Sequence, residues 1–170
     1  MSYRDTAYQL IKYFEGEELE AYYCPAGVLT IGIGVTKSFY PQLTPESRIT
    51  VLESKELFNR VLDHFEDKCT AIPDWQNKTN TQKAALISFA YNTGFDYPDR
   101  ENFATLCKAL ESRSPKKITE ALMLYCNADG KPLLGLYRRR FAESLLYWGK
   151  DVNYVLRIVE KIDSVDHLYV

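Results

Sequence analysis

Two short segments carry residue types that could do chemistry. Glu15 lies between Phe14 and Gly16, where a helical pattern stops. A carboxyl there meets the negative end of a helix dipole and the apolar surface of Phe14, and both disfavour its ionised form. A carboxyl kept protonated near neutral pH can act as a general acid. The competing reading is an ordinary surface acid at a helix end. The second segment is Tyr23-Cys24-Pro25-Ala26-Gly27-Val28-Leu29-Thr30-Ile31-Gly32-Ile33-Gly34. Its period of two puts Leu29, Ile31, Ile33 and Val35 on one face and Thr30, Gly32 and Gly34 on the other. The first face can pack on a core. The second is nearly bare, which suits close approach by a ligand or another backbone.

The elements that must position these residues follow from the pattern. Tyr3, Ala7, Leu10, Ile11 and Phe14 share one helical stripe, started by Ser2 with Asp5 and stopped by Gly16. Residues 19–36 read as β, with a turn at Pro25-Ala26-Gly27. Thr50 with Glu53 forms a capping box for a long helix carrying Leu57, Val61, Phe65 and Cys69. Further helices are expected at 81–93, 103–112, 115–126, 134–148 and 152–162, with loops at 70–80 and 95–102 and a turn at 127–130. No internal repeat or low-complexity tract is present.

The chain has 170 residues, 46% hydrophobic and 26% charged, which is globular composition. It has no run of 18 apolar residues and a polar beginning, so neither a membrane span nor a secretory signal peptide is expected. The net charge of −2 argues against general nucleic-acid binding. Residues 113–140 nevertheless hold 7 basic and 2 acidic side chains. That stretch is either a solvated face or a surface for an anionic polymer. The 4 cysteines include no C-x-x-C pair, so no metal site is expected. Cys69, Cys107 and Cys126 read as small buried residues. His64 and His167 read as surface or packing residues.

The two chemical segments together resemble the active-site signature of phage-type lysozymes, the endolysin class of glycoside hydrolases. That family has a Glu at the end of its first helix, an Asp or in some members a Cys nine residues on, and a Thr fifteen residues after the Glu. Glu15, Cys24 and Thr30 fall at these spacings, followed by Ile31-Gly32-Ile33-Gly34. Ala85-Leu86-Ile87-Ser88-Phe89-Ala90-Tyr91-Asn92-Thr93-Gly94 and Gly135-Leu136-Tyr137-Arg138-Arg139-Arg140 with Glu143 also resemble the family. The resemblance runs from about residue 7 to 148.

It implies a mostly helical α+β, lysozyme-like fold over 1–170. A small β-hairpin lobe, about 12–60, would be joined by the long helix to a larger helical lobe, about 70–170, on which the first helix packs. The implied activity is hydrolysis of the β-1,4 bond between N-acetylmuramic acid and N-acetylglucosamine in peptidoglycan. Glu15 would be the acid, Cys24 would stand in the position of base or nucleophile, and Thr30 would hold the water or sugar. Gly32, Gly34, Tyr91, Asn92 and Arg139 would bind substrate, with Arg139 pairing with Glu15. The rival for Tyr91 is core packing, and for the arginine run solvent exposure or a salt bridge to Glu143. No cofactor or metal is implied. The partner is the peptidoglycan polysaccharide, met by a monomer that accumulates in the cytoplasm and depends on a pore-forming protein for access to the wall.

Two positions depart from the commoner family pattern. Cys24 replaces Asp, and a free thiol, with a pKa of about 8.5, is mostly neutral near pH 7. As a thiolate it could attack the anomeric carbon, which favours retention; as a bystander it would leave Glu15 alone. Val35 stands where many members have His. Lytic transglycosylase chemistry and an inactive wall-binding module are the alternatives.

Overall fold

The first helix is fixed at both ends by its own sequence. In the computed structural model, which describes residues 1–128 and 130–165, α1 spans Tyr3–Glu15. Ser2 caps it in a reciprocal capping box with Asp5. Gly16, at φ 75°, ends it and donates its N–H to the Lys12 carbonyl. Glu15 is therefore the last helical residue.

The chain then forms an antiparallel sheet of β1 (Glu18–Tyr23), β2 (Leu29–Gly32) and β3 (Val35–Thr36). Tyr22 pairs with Thr30 and Ile31 with Val35. The expected alternation does not run through 29–35. Gly32 and Gly34 both have positive φ, 63° and 71°, and turn the chain between β2 and β3. Ile33 thereby leaves the sheet face and joins the core of the helical lobe, while Leu29, Ile31 and Val35 stay in the small lobe's core. Nor is the other face bare: Thr30 is 4% exposed, and a Cβ on Gly32 would meet Ser54 Oγ at 3.2 Å.

Thr50 and Glu53 make the expected capping box on α2 (Val51–Thr70), which carries Leu57, Phe58, Val61 and Leu62 inward. Helices α3 (Asn80–Thr93), α4 (Ala104–Ser112), α5 (Pro115–Met123), α6 (Leu134–Tyr147) and α7 (Val152–Glu160) build the larger lobe. Among the described residues the fold is thus mostly helical, α+β and lysozyme-like. α3 is its axis: Ala84 to Ala90 are all buried, and α1, α2 and α6 pack around it. A short 3-10 turn at Trp75–Asn77 interrupts the 70–80 loop, and α5 ends three residues before the expected 126. Where a turn was expected, β4 (Asn127–Ala128) pairs with β5 (Lys131–Pro132). Asp129 and His167 lie outside the described residues. His64 is exposed and packs edge-on against Phe39 and Phe65.

No helix among the described residues is long and apolar enough to cross a membrane. Cys69, Cys107 and Cys126 are buried free thiols, and Cys24 is partly exposed.

Candidate active site

Glu15 is held from three sides. From α6, the Arg139 Nη1 donates to its Oε1 at 2.5 Å. From the hairpin, the backbone at Gly34 lies so close that a Cβ there would stand 3.5 Å from Glu15 Oε2. From its own helix, Phe14 places its ring under the Arg139 guanidinium, 5.7 Å from the centroid. Arg139 is 3% exposed, whereas the Glu15 side chain is 27% exposed. The acid faces open space while its partner is enclosed.

That open space is a cleft of about 480 Å³, bounded by Phe14, Glu15, Asn92, Leu134, Leu136 and Arg139. A second hollow of about 430 Å³ shares Asn92 and Leu136 with the first and continues to Asn102, Tyr125 and Asn127. The two make one groove across α3 and α6, with amide side chains along it and Glu15 at one end. Such a groove suits a polar polymer whose rings carry hydroxyl and amide groups.

Cys24 directly follows β1, and Thr30 lies on the adjacent strand β2. The Cys24 N–H donates to the Val28 carbonyl at 3.0 Å, and the Thr30 hydroxyl donates to the same carbonyl at 2.9 Å. Hydrogen bonds from the backbone N–H of Val28 and Ala26 hold the Cys24 thiol below its ordinary range, and the Thr30 hydroxyl adds to this when its one proton turns from the Val28 carbonyl to the sulfur. Tyr22 lies between the two chemical segments. Its phenol is pushed up by burial and by the charges of Cys24 and Glu15. Sequence reasoning missed Tyr22, although a period of two places it on the same side of the strand as Cys24. Asn102, Tyr125 and Asn127 were missed as well. They come from separate segments that only the folded helices bring to the groove.

Of the other expected substrate residues, Asn92 and Arg139 line the cleft and Gly34 abuts Glu15. Gly32 instead turns its open side to Ser54 and Ile49. Tyr91 takes the packing reading: its ring lies between Phe58 and Phe65, and its hydroxyl donates to the Ile33 carbonyl at 2.5 Å. Nor does the basic stretch form a single charged face. Arg139 and Arg140 are buried in it, and Glu15 and Glu143 face them.

The phage lysozyme family model matches residues 12–143. No curated protein sequence matches the chain. Among solved structures, the active form of the phage P1 endolysin Lyz superposes with a TM-score of 0.72 at 25% identity, covering 85% of this chain and 83% of that one. A mutant lysozyme of phage P22 gives 0.69 at 26% identity, covering 87% and 99%. The muramidase domain of SpmX from Asticaccaulis excentricus shares the fold at 24% identity, with a TM-score of 0.70 and coverage of 85% and 95%. The match runs over most of the chain and takes in Glu15, the hairpin, α3 and Arg139; the chain belongs to the phage lysozyme family and is a lysozyme-type glycosidase that hydrolyses peptidoglycan.

Proposed function

We propose that Glu15 is the general acid of this hydrolysis and that the Cys24 thiolate is the negative group facing the anomeric carbon. The bond cleaved joins C1 of N-acetylmuramic acid to O4 of N-acetylglucosamine. Glu15 gives its proton to that O4 as the C1–O4 bond breaks. The thiolate attacks C1, forming a C–S bond. Water then attacks C1, loses its proton to the Glu15 carboxylate, and releases the thiolate. The muramic product keeps the β configuration. The reading is supported by the setting of Cys24, whose N–H shares the Val28 carbonyl with the Thr30 hydroxyl, whose neighbour Tyr22 feels both Cys24 and Glu15, and whose charged sulfur the Val28 and Ala26 N–H groups favour. Thr30 fixes that sulfur, and Asn92 and Arg139 position the sugars in the groove.

The groove is open to a polymer, and the reading extends to how the enzyme meets it. As a monomer, it would reach the wall from the cytoplasm once a pore-forming protein opens the membrane. Sedimentation of the purified chain, and lysis of producing cells only after the membrane is permeabilised, test these two points.

The roles are tested by mass spectrometry and anomeric NMR of fragments released from purified peptidoglycan. Glu15→Gln is expected to lower turnover by at least about 100-fold. Cys24→Ala is expected to do likewise, and a Cys24 enzyme with trapped substrate should carry a sugar adduct. Unchanged turnover in Cys24→Ala removes the thiolate from the mechanism. An α product without adduct makes it a base for water. Anhydro products mean a transglycosylase.

A further inference from the structure

Glu143 is the most enclosed acid of the helical lobe, fully buried on α6. Three groups converge on its carboxylate. Ser88 of α3 donates its hydroxyl to Oε1 at 2.8 Å, and Arg140 Nη2 donates to the same oxygen at 2.9 Å. Arg140 Nε stands 2.8 Å from Oε2. Arg139 Nε, one turn back on the helix, is 3.5 Å from Oε1. Ser88 also accepts Arg139 Nη2 on its carbonyl at 3.4 Å. On this edge the Arg139 guanidinium has one hydrogen bond, from Nη2 to Ser88, and an ion-pair contact of Nε with Glu143, while its Nη1 points at Glu15.

We propose that Glu143 is a positioning residue for the hydrolytic reaction: with Ser88 it orients Arg139 toward Glu15. The proposal rests on the reading of Glu15 as general acid. Two arginines and two carboxylates share this region, so the charges balance. Without Glu143, Arg140 would lose its countercharge and Arg139 would keep only the Ser88 carbonyl on the edge away from Glu15. The other titratable groups beside the network are Tyr22 and Tyr91, which feel Glu15, and Cys126, near Arg140. Burial pushes the Glu143 carboxyl up, and the two arginines and the Ser88 hydroxyl oppose that effect.

The test is kcat and KM on soluble peptidoglycan fragments, for variants whose folding is checked by thermal melting. Glu143→Gln removes the charge and keeps the shape, and Glu143→Asp keeps the charge and shortens the reach. Both are expected to lower kcat about tenfold with KM unchanged, because Arg139 is no longer held. Parental kcat in either folded variant, or a loss confined to KM, overturns the proposal. Should Glu143→Gln not fold, Glu143→Asp decides alone. Full turnover in Glu15→Gln would instead overturn the reading of Glu15 itself, separating the two failures.

Discussion

Cys24 is the residue on which the proposed chemistry turns. Its thiol lies lower than a free thiol because the Val28 and Ala26 N–H groups and the Thr30 hydroxyl stabilise the charged sulfur. Alkylation of the folded enzyme by iodoacetamide should therefore reach half its maximal rate at a lower pH than in the urea-unfolded chain. Thr30→Val should shift that midpoint upward; a midpoint equal to that of the unfolded thiol would contradict the reading. The sign carries over to stability. A depressed folded-state thiol contributes above the unfolded value, and the contribution is lost as pH falls through the folded one. Gly34 is the second sensitive residue. Its φ of 71° disfavours any side chain, and the new Cβ would stand in van der Waals contact with Glu15, 3.5 Å from Oε2. Gly34→Ala is expected to cost about 1–2 kcal/mol of stability from backbone strain. It should also lower kcat more than it raises KM, as read from steady-state kinetics on soluble fragments.

At the scale of elements, local chemistry places the ends and burial places the faces. The capping box of Thr50 and Glu53 starts the long helix α2, which links the two cores. Thr50→Ala should lower stability by about 1 kcal/mol in chemical denaturation. The Glu53 carboxyl lies below its usual range because the Thr50 N–H and hydroxyl donate to it. Its contribution is present above the ordinary glutamate range and is lost as pH falls through its folded value. The Thr50→Ala penalty should therefore shrink in strong acid, and a penalty independent of pH would show that the carboxylate takes no part. β2 behaves differently. Its residues were expected to alternate, yet all four are buried, because α2 covers the side that holds Gly32.

On the scale of the whole molecule, two buried features tie the lobes and the groove together. Tyr91 bridges them: its ring packs on Phe58 and Phe65, and its hydroxyl holds the Ile33 carbonyl at the tip of the hairpin. Tyr91→Phe should lower the melting free energy by about 1–3 kcal/mol, since a part-buried carbonyl loses its donor. The other feature is the Arg140–Glu143 pair, buried on both sides. Arg140→Met leaves Glu143 without its closest countercharge and should cost about 3–5 kcal/mol. The double variant Arg140→Met/Glu143→Met should recover much of that loss. Denaturation curves of the two decide it: an additive double variant would mean that the pair is not coupled.

The sequence alone determined the ends of α1 and α2, the position of Glu15 as the last residue of its helix, and the turn before Thr30. These depend on caps, glycines and periodicity, which act over four residues or fewer. It also carried the family signature, because spacing along the chain is itself the signature. Tertiary structure decided everything that depends on what lies across the fold. Tyr91 became a packing residue because Phe58 and Phe65 of α2 enclose its ring. Gly32 was covered because α2 crosses it, and Ile33 left its strand face because two positive-φ glycines turn the chain there. Composition left the basic run around Arg139 open between a solvated face and paired charges; its countercharges come from α1, more than a hundred residues away, and from the next turn of α6. No local pattern distinguishes a solvated arginine from one whose partner arrives only when the helices pack.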